Sequence, residues 1–298
     1  MKGEFKAYLK SKGFAGGSIR TRMITIEKYW QWLRKENLEP VEITYNDLLL
    51  YMKHCQRKGL TQRTIQHYIG VIKHFYNHLL EQGKIAINPA TDIEIKGVKR
   101  RSVYYIFSPH ELHGLYNAYQ DDTLAGRRNK AMLGLLTYQG LKTEELAKLE
   151  LHNIRLREGK IDVPGSRRSN HRLMTLEGHQ VLDLYDYVQA VRPELISQEP
   201  MGKGKPDRET KRLFVGAGGN SKSFGNFTSQ LIKALKTKTS KLENAKQIRA
   251  SVIVKWLKAH NLREAQVLAG HKFISTTEAY KQNDIEGLAE AINLYHPL

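Results

Sequence analysis

The sequence predicts a mainly α-helical protein of two domains, with a small β element in the second domain. Three observations support this. Apolar side chains recur at helical spacing throughout residues 2–92, between glycines and capping residues that mark helix ends. Residues 93–103 are basic and lack amphipathic periodicity, which is typical of a linker. Residues 157–178 alternate apolar and polar side chains around a Pro–Gly turn, which indicates a β-hairpin within an otherwise helical region.

The first domain, 1–92, is predicted to be a bundle of four short helices. A chain of 298 residues is long enough for two domains that each bury a core. The helices should begin near Glu4, near Ser18, at the Thr44-x-x-Asp47 capping box and near Thr61. The linker then covers 93–103.

The second domain, 104–298, begins with Ser108-Pro109-x-Glu111, a helix start with a capping residue, a proline and an acidic first turn. Thr143 should cap another helix, within the stretch GLKTEELAKLEL. The predicted elements are helices over 108–119, 127–138 and 143–151, the hairpin, a helix over 176–191, a strand over 212–215, a helix over 224–236, helices within 246–280 and a tail helix over 284–298.

The chain is strongly basic, with 48 Lys plus Arg against 30 Asp plus Glu and a net charge of +18. This excess indicates a polyanionic partner, although basic helical faces are also commonly just solvated. A single cysteine, Cys55, rules out an internal disulfide and fits a reducing compartment. No apolar run reaches membrane-spanning length and the N-terminus lacks the apolar core of a signal peptide, so we expect a cytoplasmic protein without a membrane partner.

The stretch from Lys246 to Tyr280 carries the chemistry. Lys246 and Arg249 are three residues apart, which places two cations on one helix face. Gly270 should stop a helix just before His271, and Ser275 or Thr276 should cap a short helix that carries Tyr280. A tyrosine hydroxyl has a pKa of about 10 and is a poor nucleophile at neutral pH, so it needs neighbouring cations and a proton acceptor.

This order and spacing resemble the C-terminal signature of the tyrosine recombinase (phage integrase) family. The pattern is His or Lys, two residues, then Arg, followed by Gly-His and, nine residues on, by Tyr. The family usually has a histidine at the position of Lys246, although related type IB topoisomerases also use a lysine there. The stretch GLKTEEL resembles the family's Gly-Leu-Arg-x-x-Glu-Leu box, with Lys142 in place of the arginine. Lysine keeps the charge but lacks the planar fork that binds two phosphate oxygens.

In this family a lysine on the hairpin acts as general acid, but the hairpin turn here contains arginines and no lysine beyond Lys160. Arginine stays protonated, so Arg168 is the candidate for an electrostatic substitute. Plain contacts with the phosphate backbone are the alternative role for these arginines.

The resemblance implies an N-terminal core-binding (SAM-like) domain of four helices and an α+β catalytic domain. It implies a site-specific recombinase or integrase of a mobile element, which cuts and rejoins double-stranded DNA through a 3′-phosphotyrosyl link. The site residues it implies are Tyr280, Arg249, His271, Lys142, Lys246 and Arg168. No metal or nucleotide cofactor is expected. The expected assembly is a homotetramer on paired DNA sites, with the tail exchanged between subunits; the alternative is a tail docked on its own domain.

Two other functions stay open at this point. One is a DNA-binding relative with weakened or lost catalysis, because Lys142 and the hairpin both depart from the family pattern. The other is an enzyme resembling a type IB topoisomerase, which would act without paired sites.

Overall fold

The computed structural model describes residues 1–97, 104–200, 205–221 and 224–281. The chain divides into two compact units, Met1–Ser102 and Val103–Leu298. The predicted linker lies partly, and the predicted tail helix over 284–298 wholly, outside the described residues. The domain boundaries drawn from the sequence remain predictions.

The four predicted helices of the first unit are confirmed. They are α1 (Lys2–Ser11), α2 (Gly16–Lys35), α3 (Tyr45–Arg57) and α4 (Gln62–Glu81). The predicted capping box forms, since the Thr44 hydroxyl accepts from the Asp47 N–H at 3.3 Å and the Asp47 carboxylate accepts from the Thr44 N–H at 2.9 Å. Both hydrogen bonds pair N–H groups that the first helical turn leaves without a backbone partner.

An aromatic-rich core holds this bundle together. The apolar side chains at helical spacing meet inside it, including Phe5, Ile26, Tyr29, Leu48 and Phe75. Burying these side chains supplies the main driving force for a domain of this size.

The second unit is mainly helical around a small sheet. Its helices are α5 (Pro109–Asn117), α6 (Leu124–Thr137), α7 (Thr143–Leu146), α8 (Gly178–Asp186), α9 (Arg192–Ser197), α10 (Phe224–Lys236), α11 (Ala245–Ala259), α12 (Leu262–Ala269) and α13 (Ile274–Glu278). Its strands are β1 (Ile154–Arg155), β2 (Lys160–Val163) and β3 (Arg172–Thr175). The predicted fold class, mainly α with a small β element, is confirmed.

The predicted hairpin is part of a three-stranded antiparallel sheet in the order β1-β2-β3. In the β2–β3 pair, Lys160 faces Thr175 and Val163 faces Arg172. Ile161 and Val163 point into the core, so alternate positions of β2 are buried as the period-2 pattern requires. Strand β1 was not predicted, because two residues are too few to show a period.

Three element predictions need correction. The helix that starts at Thr143 has only four residues, and just beyond it the backbone pairs with another segment, since the Leu151 N–H donates to the Lys211 carbonyl at 3.1 Å and the Leu213 N–H donates to the Leu149 carbonyl at 2.8 Å. The predicted strand over 212–215 is reduced to one bridge between Arg212 and Glu150, since the Val215 N–H donates to a tyrosine hydroxyl instead of a strand. The helix predicted over 176–191 begins at Gly178 and continues through a π-helical turn into α9.

One core cluster runs through the second unit, from α5 and α6 across the sheet to α11 and α12. It fixes α11 against the turn that follows α6, and this contact sets the position of the candidate site. None of the helices in the described ranges combines the length and the hydropathy needed to cross a membrane.

Candidate active site

A cleft of about 300 Å³ lies where the turn before α7, the tip of the β2–β3 hairpin and the start of α11 meet. Four of the six predicted site residues line it, namely Lys142, Arg168, Lys246 and Arg249. His271 contacts Arg249, and Tyr280 stacks on His271. The tertiary fold therefore brings together residues that are up to 138 positions apart in the chain.

Arg249 forms the buried floor of the cleft and is only 5% exposed. Its guanidinium donates to the Gly140 carbonyl, to the Ala269 carbonyl at 2.7 Å and to Nε2 of His271 at 3.1 Å. Burial lowers the pKa of this guanidinium, but arginine titrates so high that it stays charged. Its acceptors come from the ends of α6 and α12, so the cation is held in one orientation.

His271 follows Gly270, which ends α12 with a φ of 64°. The imidazole is 4% exposed, and its Nδ1 lies 2.9 Å from the hydroxyl of Thr277. Burial, followed by the nearby Arg249 and Lys142, lowers the pKa of His271 from 6.5 to about 3. The ring is therefore neutral at physiological pH.

Tyr280 lies just after α13, and its ring stacks on His271 with ring centroids 5.7 Å apart and planes 17° apart. Its N–H donates to the Thr277 carbonyl at 3.0 Å, which fixes the turn that presents the phenol. The predicted cap by Ser275 or Thr276 is wrong, because α13 starts after Phe273 and has no side-chain cap.

Lys142 lies immediately before α7 and is half-buried, with its side chain 31% exposed. Thr143 was predicted to cap α7, but Lys142 holds the capping position, where its own N–H donates to the Glu145 carboxylate at 2.9 Å. Its ammonium lies 3.9 Å from the same carboxylate. Burial, followed by the charge of Arg249, lowers the pKa of Lys142.

A buried ion pair between Glu145 and Arg172 joins α7 to strand β3. The two guanidinium nitrogens of Arg172 donate to the two carboxylate oxygens of Glu145 at 3.1 and 2.9 Å. Gly270 has no Cβ, and a Cβ at this position would lie 2.4 Å from Arg172 Nη1. Arg172 is therefore buried on the same face of β3 as Met174 and is not one of the exposed arginines of the hairpin turn.

Arg168 and Lys246 are exposed side chains that line the cleft, Arg168 from the hairpin tip and Lys246 from the start of α11. The hairpin tip that carries Arg168 is attached to the Gly270–His271 segment by a bridge from Ser169 to His271. The Asn170 N–H also donates to the Gly270 carbonyl at 2.9 Å. The hairpin thus reaches the Gly-His segment through its backbone, while the Arg168 side chain is exposed.

No group of three or more His, Cys, Asp and Glu side chains is placed to hold a metal ion within the described ranges. The glycine-rich turn over 216–219 packs tightly, since a Cβ on Gly219 would lie 2.0 Å from the Asp207 carbonyl oxygen. This turn therefore lacks the open cradle of a phosphate loop. The expected absence of a cofactor remains a prediction.

Comparison with known families matches both units of the chain. Residues 106–286, more than half of the chain, match the phage integrase family, and residues 3–84 match the phage integrase N-terminal SAM-like domain. A curated relative, tyrosine recombinase XerC of Bacillus pumilus (strain SAFR-032), is 25% identical over 297 residues, which cover 98% of this chain and 95% of the relative.

Two solved structures show the same fold. The Tn1549 transposon integrase in complex with transposon right end DNA has a TM-score of 0.69 at 15% identity, over 100% of this chain and 99% of that chain. A lambda integrase tetramer bound to a Holliday junction has a TM-score of 0.68 at 14% identity, over 93% of this chain and 74% of that chain. With both of its units matched, this chain belongs to the phage integrase family and is a site-specific tyrosine recombinase.

Proposed function

We propose that this recombinase acts on double-stranded DNA and that Tyr280 is its nucleophile. The phenolic oxygen forms a bond to the scissile phosphorus, the bond to the 5′ oxygen breaks, and a 3′-phosphotyrosyl link results. The phenol loses its proton to a base, and the departing 5′ oxygen gains one. The observation that carries the proposal is the stack of Tyr280 on His271, which Arg249 contacts at the floor of a cationic cleft.

The cations of the cleft supply the charge that this reaction needs. In this proposal Arg249 and Lys142 neutralise the non-bridging phosphate oxygens as negative charge accumulates in the transition state. Arg168 and Lys246 add positive charge from the exposed walls, with Arg168 in the place of the family's hairpin lysine. Such fixed donors act most strongly where water is excluded, which suits the buried Arg249 best.

The partners are part of the same proposal. The net charge of +18 favours a DNA duplex, and the related lambda integrase has been solved as a tetramer on a Holliday junction. We propose a homotetramer on paired sites, in which the tail after Asn283 contacts a neighbouring subunit, in the cytoplasm of the host cell. A chain shortened at Asn283 should lose synapsis more than DNA binding, and unchanged recombination would refute the tail's role.

The test uses nicked duplexes that carry the site found by mapping where the purified protein protects DNA flanking its own gene. Denaturing electrophoresis should show a slower-migrating covalent adduct with the wild type and none with Tyr280→Phe. Tyr185→Phe is the matched control, because Tyr185 is 56% exposed on α8, away from the cleft. An adduct that survives Tyr280→Phe would remove Tyr280 from the role of nucleophile.

The adduct assay, together with an assay of plasmid relaxation, separates the two alternative functions. A DNA-binding relative without catalysis would protect its site and form no adduct. An enzyme resembling a type IB topoisomerase would relax a supercoiled plasmid that has no paired sites.

A further inference from the structure

Thr277 is a buried polar residue at the centre of the candidate site, and the reaction described above gives it no role. Its side chain is 0% exposed. Its hydroxyl lies 2.9 Å from Nδ1 of His271, and its carbonyl accepts from the Tyr280 N–H at 3.0 Å. One residue therefore contacts both the histidine ring and the turn that carries the nucleophile.

The hydrogen bonds around His271 define where its proton lies. Arginine has only donors, so the contact of Arg249 Nη2 with His271 Nε2 at 3.1 Å requires Nε2 to accept. A neutral imidazole carries one proton, which must then lie on Nδ1 and be donated to the Thr277 hydroxyl. Without DNA, His271 is consequently an acceptor towards the cleft.

Binding of the scissile phosphate of the proposed reaction by His271, in addition to Arg249, requires the opposite arrangement. Phosphate oxygens only accept hydrogen bonds, so His271 can bind one only if Nε2 carries the proton. The move to this tautomer leaves the number of protons on the ring unchanged, since Nδ1 gives one to water and Nε2 takes one from water. Nδ1 then becomes an acceptor and needs a donor, and a hydroxyl that rotates can serve as either.

We propose that Thr277 is a positioning residue whose hydroxyl pairs with His271 Nδ1 in both tautomers. Without DNA the hydroxyl accepts the hydrogen bond from Nδ1. When a phosphate takes the place of Arg249 at Nε2, the hydroxyl donates to Nδ1 instead. Its carbonyl holds Tyr280 in the same turn, so the ring and the phenol keep their relative position during the change. The DNA-bound part of this inference rests on the proposed function, whereas the DNA-free part does not.

The chain offers matched variants. Thr277→Ser keeps the hydroxyl, whereas Thr277→Val removes the hydroxyl and keeps the shape of the side chain. Thr276→Val is the control, because Thr276 is the adjacent, less buried threonine of the same helix. The Thr277→Val chain should still fold, and a cooperative thermal transition checks this.

The first measurement is nitrogen-15 NMR of the histidine rings in the full chain without DNA, with His271→Gln used to identify the His271 signals. We expect Nδ1–H in the wild type, in Thr277→Ser and in Thr276→Val. Thr277→Val should keep the proton on Nδ1, because Arg249 still requires Nε2 to accept, but its Nδ1 signal should shift because the hydroxyl that accepts this proton is gone. A wild-type ring protonated at Nε2, or an Nδ1 signal in Thr277→Val that is the same as in the wild type, would overturn the proposal.

The second measurement uses histidine-labelled Tyr280→Phe protein, with and without the nicked duplex. The bound form should show His271 protonated at Nε2, and a proton that stays on Nδ1 would refute the exchange of roles. In the adduct assay, Thr277→Val should react about tenfold or more slowly, as expected from an unpaired buried polar group, and Thr277→Ser should restore the rate. A wild-type rate for Thr277→Val would refute the role of Thr277, whereas an adduct in Tyr280→Phe would refute the proposed nucleophile.

Discussion

The buried and the exposed halves of the candidate site differ in how firmly they are held. Arg249 and His271 are 5% and 4% exposed, and backbone carbonyls or buried side chains fix their orientation. Lys142 is half-buried, while Arg168 and Lys246 project into the cleft from exposed positions. A preorganised donor needs no reorientation at the moment of reaction, whereas a mobile cation contributes mainly charge. The buried half should therefore decide whether the reaction occurs, and the exposed half should adjust its rate.

The largest expected effect on the rate of adduct formation comes from substitutions in the buried half of the site. Arg249→Ala should slow adduct formation by about 10²–10³-fold or more, because it removes a fixed donor from the transition state. Arg249→Lys keeps the charge without the planar fork, so it should restore only a small part of the rate. Single-turnover rates on the nicked duplex measure this, with circular dichroism to confirm folding. Rates near wild type would mean that Arg249 is structural only.

The next effect is the pH dependence of stability that the buried histidine causes. Folding lowers the pKa of His271 from 6.5 to about 3. As the pH falls below 6.5, the unfolded chain binds a proton that the folded ring rejects, so stability is lost progressively towards pH 3. Urea unfolding should show this decline, on the order of a few kcal/mol, and His271→Gln should lose less over the same pH range. Equal declines in both proteins would contradict a buried neutral ring.

Lys142 lies between the two halves and should show an intermediate effect. Lys142→Ala should slow adduct formation by about 10- to 100-fold, through the loss of a charged hydrogen bond to phosphate. Lys142→Arg should preserve or raise the rate and extend activity to more alkaline pH, because burial lowers the pKa of the lysine ammonium. Lys148→Ala, an exposed lysine of the same cleft, should lose less. Equal rates for all three variants would remove Lys142 from the site.

The smallest effect should come from the exposed hairpin arginine. Arg168→Gln should slow adduct formation by only about threefold, because an exposed charge is screened by water and salt. Arg167→Gln is the matched control, since the adjacent Arg167 is equally exposed but does not line the cleft. A loss above about 100-fold in Arg168→Gln would place this arginine with the essential groups of the site.

The elements that the sequence predicts correctly are those whose signals are local. The four N-terminal helices follow from apolar spacing and from caps such as Thr44 and Thr61, whose hydrogen bonds reach only three residues along the chain. The spacing of Lys246, Arg249, His271 and Tyr280 was enough to suggest the family. Local patterns did not reveal that Arg172 is buried against Glu145, because the contact joins residues that are 27 positions apart.

By itself, the sequence determined the helical class, the hairpin and the family, since each depends on periodicity, turn residues or a spaced motif. Only the tertiary structure decided the burial, orientation and protonation of the site residues. The acceptors of Arg249 are carbonyls at the ends of two other helices, and the proton of His271 is placed by Arg249 and Thr277 together. Carbonyl directions and burial arise from the packing of distant segments, and they set the charge and orientation of groups whose identity the sequence had already given.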